Sequence, residues 1–195
     1  MSKLYFTYAA MNAGKSAILL QAAHNYRERG MEVSLWTSAN HADTHGADAG
    51  VIESRIGLTA PARIFRPDTD LLAALAEHKA ASALDAVFID EAQFLSEAQV
   101  GQLTQVCDAL HVPVLCYGLR TDFQGKLFDG AAALLALADD LREVRTICHC
   151  GRKATMNLRT DAAGAPVREG DQVRLEKSRY VALCRKHFRE ALSRD

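Results

Sequence analysis

An apolar run over residues 4–8, Leu4-Tyr5-Phe6-Thr7-Tyr8, leads directly into Ala9-Ala10-Met11-Asn12-Ala13-Gly14-Lys15-Ser16. A helical pattern carrying Ile18, Leu19, Ala22 and Ala23 follows. A β-type run, a tight turn with Gly-Lys-Ser and then a helix make the layout of a P-loop. This restricts the fold severely. A strand must feed a turn whose backbone N–H groups wrap phosphate oxygens, with the next helix N-terminus aimed at them. Lys15 adds a point charge, and Ser16 offers a hydroxyl to Mg²⁺. The expected ligand is a nucleoside triphosphate held by residues 9–16. The generic pattern G-x-x-x-x-G-K-[ST] has Gly where this chain has Ala9.

Strand and helix patterns alternate downstream. Residues 15–29 read as a helix closed by Gly30. Residues 33–36 read as a strand, 38–50 as a polar loop rich in His and Asp, and 64–65 as a short strand. Residues 70–82 form an alanine-rich helical pattern. Residues 86–90 are a continuous apolar run ending in acid, which suits a strand buried on both faces. Ser96 opens another helix with Glu97 in its first turn, and residues 112–117 read as a further buried strand ended by Gly118. The alternation predicts an α/β fold, a P-loop parallel sheet flanked by helices, over residues 1–140. From about residue 141 the texture changes. Cysteines cluster, Gly and Asp crowd residues 161–171, and a basic helix follows. A small zinc-ribbon-like domain is expected over residues 141–195.

Val87-Phe88-Ile89-Asp90-Glu91 has the form of a Walker B element. The strand would deliver Asp90 beside the P-loop, where it can hold Mg²⁺ together with Ser16. Glu91 follows at the strand's C-terminal edge, where open α/β sheets place ligands. A carboxylate there can orient or deprotonate a nucleophile. These residues alone leave open whether that nucleophile is water or a substrate hydroxyl.

Cys148-His149-Cys150 and Cys184-Arg185-Lys186-His187 form two close pairs. Three thiolates and one imidazole, from Cys148, Cys150, Cys184 and His187, make a tetrahedral structural zinc set. His149 is an alternative ligand. Cys107 and Cys116 sit in apolar patterns and read as core.

A net charge of −1 makes no electrostatic case for nucleic acid or an anionic membrane, and the basic residues of the C-terminal ribbon are interrupted by Glu176 and Glu190. No basic flank with an apolar run opens the chain, and the weakly polar stretch 130–138 is too short for a bilayer, which takes about 20 residues. Five cysteines without a leader suggest a reducing compartment. The expectation is a soluble cytoplasmic protein.

These features together resemble the bacterial type II thymidine kinase family, the P-loop plus zinc-domain type. The resemblance runs from Leu4 to about Leu192. It rests on Met11-Asn12-Ala13-Gly14-Lys15-Ser16, Ser54-Arg55-Ile56-Gly57-Leu58, Asp90-Glu91-Ala92-Gln93-Phe94-Leu95 and the block from Pro113 to Phe123. It also rests on the block from Thr146 to Ala154 and on Arg179-Tyr180 with Cys184-Arg185-Lys186-His187. The resemblance implies ATP-dependent phosphorylation of the thymidine 5′-hydroxyl, giving thymidine monophosphate for DNA synthesis by salvage. It implies Glu91 as general base, with Lys15, Ser16, Asp90 and Gln93 on the nucleotide side. Met11, Phe94, Leu119, Phe123, Phe128, Asn157 and Tyr180 would contact the nucleoside. The segment between the two cysteine pairs would be a lasso loop closing over the thymine, so that the C-terminal part becomes a lasso domain. A homotetramer and feedback inhibition by thymidine triphosphate are also implied.

The chain departs from the family pattern at two further places. Asp43-Thr44-His45 stands where Asp-x-Arg is usual, which leaves Arg55 as a candidate for the phosphate charge. Residues 174–179 lack the lasso glycines before Tyr180. The alternative reading is a P-loop ATPase whose zinc ribbon binds nucleic acid or protein. A third is a family member that binds nucleotide without turnover. The aromatic cluster from Leu119 to Phe128 favours a small-molecule cavity over an open cationic face.

Overall fold

The computed structural model describes residues 2–42, 50–172 and 179–193. Asp43-Thr44-His45 and residues 174–178 lie outside the described residues. The main sheet is built from β1 (Leu4–Ala9), β2 (Val33–Ser38), β3 (Gly50–Glu53), β4 (Thr59–Phe65), β5 (Ala86–Ile89), β6 (Val114–Leu119) and β7 (Asp140–Glu143). Its order is β3-β4-β2-β5-β6-β1-β7. Every neighbouring pair is parallel except β3 with β4. The parallel, helix-flanked sheet expected from the alternation is therefore present.

The continuous apolar runs follow from burial on both faces. All of β5 is sealed from solvent. Val87 and Ile89 join one core cluster, while Ala86 and Phe88 join another. The first cluster packs under α3 (Leu71–Ala81), α4 (Glu97–Ala109) and α5 (Asp129–Leu137), through residues such as Leu75, Leu103 and Leu134. The second packs under α1 (Lys15–Glu28) through Leu19, Leu20 and Ala23, with Ile52 of β3 beside them. Opposite faces of each strand thus feed different helical layers. Cys107 and Cys116 lie in the first cluster, and burial pushes the Cys107 thiol up to about 11. Their core reading holds.

Helix starts follow their side chains. Asp70 accepts a hydrogen bond from the Ala73 N–H (3.0 Å) ahead of α3. Ser96 and Gln99 form a reciprocal capping box ahead of α4, a device that contributes about 1 kcal/mol.

Three features differ from the sequence expectation. The polar stretch after β2 begins with a short helix, α2 (Ala39–Ala42). The short strand at 64–65 is the end of the seven-residue β4, which forms a hairpin with β3. Pro61 obscures this strand in the sequence. It is accommodated because it lies before β4 joins β2 and pairs with β3 alone. Finally, β7 continues the main sheet through Glu143, so the expected boundary after residue 140 falls within a strand.

Beyond β7 a second core forms from Cys148, Ala154, Leu158, Leu183, Cys184 and Phe188. It is framed by the pair β8 (Thr146–Ile147) with β9 (Lys153–Ala154) and the antiparallel pair β10 (Met156–Thr160) with β11 (Arg179–Leu183). Helix α6 (Arg185–Ser193) closes it through Phe188.

Candidate active site

The turn after β1 needs two left-handed backbone positions, Asn12 (φ 64°) and Gly14 (φ 87°). Gly14 is required for its dihedral angle, since a Cβ there would meet nothing within 4 Å. It precedes α1, and no side chain caps that helix. The first N–H groups of α1 are therefore left for an anion. Lys15 is 8% exposed and has no hydrogen bond or ion pair among the described residues. The Asp90 carboxyl acts on it only through space, and a phosphate in contact would stabilise this buried ammonium.

Strands β1, β6 and β5 are adjacent and parallel, so their C-terminal ends open on the same side. Asp90 leaves β5 buried (3% exposed), held by its N–H donating to the Trp36 carbonyl (2.8 Å). Burial pushes its carboxyl up to about 6, and the neighbouring Glu91 adds to the rise; the Ser16 hydroxyl and Lys15 pull the other way. A divalent cation between Ser16 and Asp90 would compensate this desolvated charge, so the donor set fits Mg²⁺.

Glu91 is a non-glycine residue in the left-handed region (φ 53°, ψ 36°). That conformation costs about 1–2 kcal/mol and persists because the surroundings hold it. The strained turn swings Glu91 into a cavity of about 310 Å³ over the P-loop. Met11, Lys15 and Ser16 line this cavity together with Glu91 and Leu119. The β3–β4 hairpin supplies the rest through Glu53, Ser54, Arg55 and Ile56. This hairpin turn is rigidly made. Ser54 is buried, its hydroxyl accepts from the Leu58 N–H (2.9 Å), and Gly57 takes φ 85°.

The other expected nucleoside contacts are distributed more widely. Phe94 and Phe128 pack edge to face, 5.7 Å between centroids. Phe123 is 2% exposed and lies under the Arg159 guanidinium, 3.6 Å from Cζ to the ring centroid. Tyr180 lies on β11 opposite Arg159. Asn157, also 2% exposed, has its side-chain amide occupied within the protein. Its Oδ1 accepts from the Met11 N–H (2.7 Å), and its Nδ2 donates to the Thr121 carbonyl (2.9 Å). Asn157 thus joins β10 to the P-loop. Gln93 is buried and is not among the cavity-lining residues.

Sequence reasoning missed Arg159. It is 1% exposed and donates to the backbone carbonyls of Asp171 (2.7 Å) and Glu169 (3.2 Å). Gln172 adds a bond to Asp122 (2.9 Å), and Gln124 donates to the Arg168 carbonyl (3.0 Å). Asp161 accepts from the N–H groups of Ala163 and Ala165. The glycine- and charge-rich stretch 161–172 buries little apolar area and is tied down by polar bonds instead.

At the far end, Cys148, Cys150, Cys184 and His187 bring one ligand atom each within 4.8 Å of one another. Sγ of Cys148 and Cys184 lie 3.3 and 3.4 Å from His187 Nδ1, and the Cys150 and Cys184 sulfurs are 3.9 Å apart. Tetrahedral bonds of about 2.3 Å to sulfur and 2.0 Å to nitrogen give ligand edges of about 3.5–3.8 Å. Burial opposes ionisation of Cys148, but backbone N–H groups of Cys150 and Cys184 and the His187 ring outweigh it and bring the thiol down to about 6. Gly151 at φ 78° closes the turn that brings both sulfurs of the C-x-C pair inward. His149 stacks on His187, 4.2 Å between centroids, and is not one of the four. This is a Cys₃His cluster able to hold a metal ion.

Comparison with known proteins agrees with this geometry. The thymidine kinase family model matches residues 2–188. A thymidine kinase of Ruegeria pomeroyi is 59% identical over 192 residues, covering 98% of this chain and 96% of the relative. One from Mesorhizobium japonicum is 57% identical over 194 residues, covering 100% of this chain and 94% of the relative. One from Vibrio parahaemolyticus is 53% identical over the full length of both. The chain belongs to the thymidine kinase family.

Proposed function

We propose that the protein transfers the γ-phosphoryl group of ATP to the 5′-hydroxyl of thymidine, giving thymidine monophosphate and ADP. The observation that carries this reading is that one cavity is lined by Lys15 and Glu91 together, with Met11 and Leu119. The backbone N–H groups after Gly14 and the Lys15 ammonium bind the β- and γ-phosphates. Arg55, on the facing hairpin, adds the second cation. Glu91 accepts the proton of the 5′-hydroxyl as the oxygen–phosphorus bond forms, and the bond to the ADP oxygen breaks. Ser16 and Asp90 would hold Mg²⁺, which supplies charge neutralisation at the phosphates when bound. Asn157 fixes the Met11 backbone, so its role toward the nucleoside is to shape the cavity wall. Phe94, Phe128, Leu119 and Tyr180 face the nucleoside side of this arrangement.

Phosphorylation over a panel of nucleosides tests the reading. Thymidine is expected to consume ATP mole for mole, with added thymidine triphosphate lowering the rate. ATP hydrolysis that ignores every nucleoside would replace the kinase with a P-loop ATPase. Lys15→Ala is expected to raise the ATP KM and lower kcat together, because the ammonium serves ground state and transition state alike.

A homotetramer completes the proposal. Leu137 and Leu141 remain about half exposed at the β7 edge of the sheet, apolar area that a neighbouring chain would cover. Sedimentation at micromolar protein should return four chain masses, and a stable monomer would remove this part.

No helix among the described residues is long and apolar enough to cross a membrane.

A further inference from the structure

Gln93 sits two residues past Glu91 in a 3-10 turn, Ala92–Phe94, wedged between β6 and the start of α5. It is 2% exposed. Its Oε1 accepts from the Leu119 N–H (2.9 Å), and its Nε2 donates to Glu91 Oε2. The orientation of this amide is chemically determined. A backbone N–H can only donate, so the atom facing Leu119 must be the oxygen, and the NH₂ must then face the carboxylate. Both ends of the amide thus engage the protein, one hydrogen bond at the oxygen and one at the nitrogen.

The packing around the turn admits no alternative position. A Cβ on Gly118 would lie 2.9 Å from both the Gln93 backbone nitrogen and its Oε1. A Cβ on Gly130 would lie 2.5 Å from the Leu95 carbonyl, 2.8 Å from that of Ala92 and 2.9 Å from that of Gln93. Two glycines on separate elements thus let β6 and α5 close on the turn from both sides. Glu91 itself adopts the left-handed conformation that this clamp must hold.

We propose that Gln93 is the positioning residue of the phosphoryl-transfer site, anchoring one Glu91 oxygen to the end of β6 so that the other meets the acceptor hydroxyl. The inference rests on Glu91 being the general base. Gln93 touches neither substrate. Its contribution comes through the direction of the Glu91 carboxylate relative to Leu119, which lines the same cavity. Misplacing a reacting group by about 1 Å costs on the order of 10²-fold in rate.

A double-mutant cycle on the full-length protein tests this, with kcat, both KM values and the melting temperature followed for each variant. Gln93→Met removes both side-chain bonds. Gln93→Glu keeps an acceptor for the Leu119 N–H but sets a second carboxyl against Glu91, so its pH–rate profile and melting temperature are read beside those of Gln93→Met, which adds no charge. Both are expected to lower kcat about 10²-fold with the ATP KM unchanged. In a Glu91→Gln background neither should lower the residual rate further. An equal loss in both backgrounds, a rise in ATP KM in place of the kcat loss, or full turnover in Gln93→Met would each overturn the inference. A Glu91→Gln protein with normal turnover would remove the base assignment and this inference with it. A slow Glu91→Gln beside fast Gln93 variants would remove the inference alone.

Discussion

Glu91→Gln is expected to lower turnover about 10²–10⁴-fold, the scale of a positioned general base. ATP binding should stay within a few-fold of the parent. The substitution is nearly isosteric and leaves Lys15, Ser16 and the P-loop backbone untouched, so ground-state phosphate contacts persist. Glu91 lines the cavity with Leu119 and the P-loop residues, while the other cavity carboxylate, Glu53, belongs to the β3–β4 hairpin. Asp90 is unsuited as the proton acceptor, being 3% exposed and engaged with Ser16. Single-turnover measurement with pre-bound ATP reads the chemical step directly. Turnover equal to that of the parent would assign the proton acceptor elsewhere, and Glu91 would then be a strained residue without a chemical role.

Removing the metal should cost the whole C-terminal module. Its core consists of Cys148, Ala154, Leu158, Leu183, Cys184 and Phe188, and two of these six belong to the Cys₃His cluster. A core this small cannot offset its own ordering entropy. Metal binding in such modules is coupled to folding and contributes about 10–16 kcal/mol. One zinc ion per chain is the expected content. Chelation, or Cys184→Ser, should expose the amides of β10 and β11 to hydrogen exchange while β5 and β6 stay protected. Activity should fall with the module, because Asn157 on β10 accepts from the Met11 N–H and Arg159 secures residues 169–171. Retained protection of β10 and full activity after complete metal removal would show that the four side chains are structurally idle.

How much could be read beforehand varied with the range of the interactions. The strand–turn–helix of the P-loop, the Asp90-Glu91 pair after β5, the clustering of Cys148, Cys150, Cys184 and His187 and the helix start at Ser96 were legible. Each depends on residue types within a few positions of one another, where chain geometry already brings the groups together. The hairpin carrying Arg55 was only half legible, because Pro61 and the small residues of β4 give no clear alternation. The pairing with β2, not strand propensity, makes that segment extended. Asn157 was read as a nucleoside contact, and its amide also bridges Met11 and Thr121. Nothing near position 157 signals a partner 146 residues away.

The sequence by itself thus determined the chemistry available to this protein: a phosphate-binding turn, a carboxylate after a buried strand, a Cys₃His metal set and an α/β framework to carry them. Tertiary structure decided which of those groups face the same cavity and how firmly each is held. Only the adjacency of β1, β6 and β5 brings Lys15, Leu119 and Glu91 to one side of the sheet. The clamp of Gln93 between Glu91 and Leu119 depends on two glycines, 118 and 130, whose need for close approach appears only when three elements are packed. The physical reason is that side-chain chemistry belongs to the residue, while direction and distance between remote residues are set by the long-range pairing and packing that the fold makes.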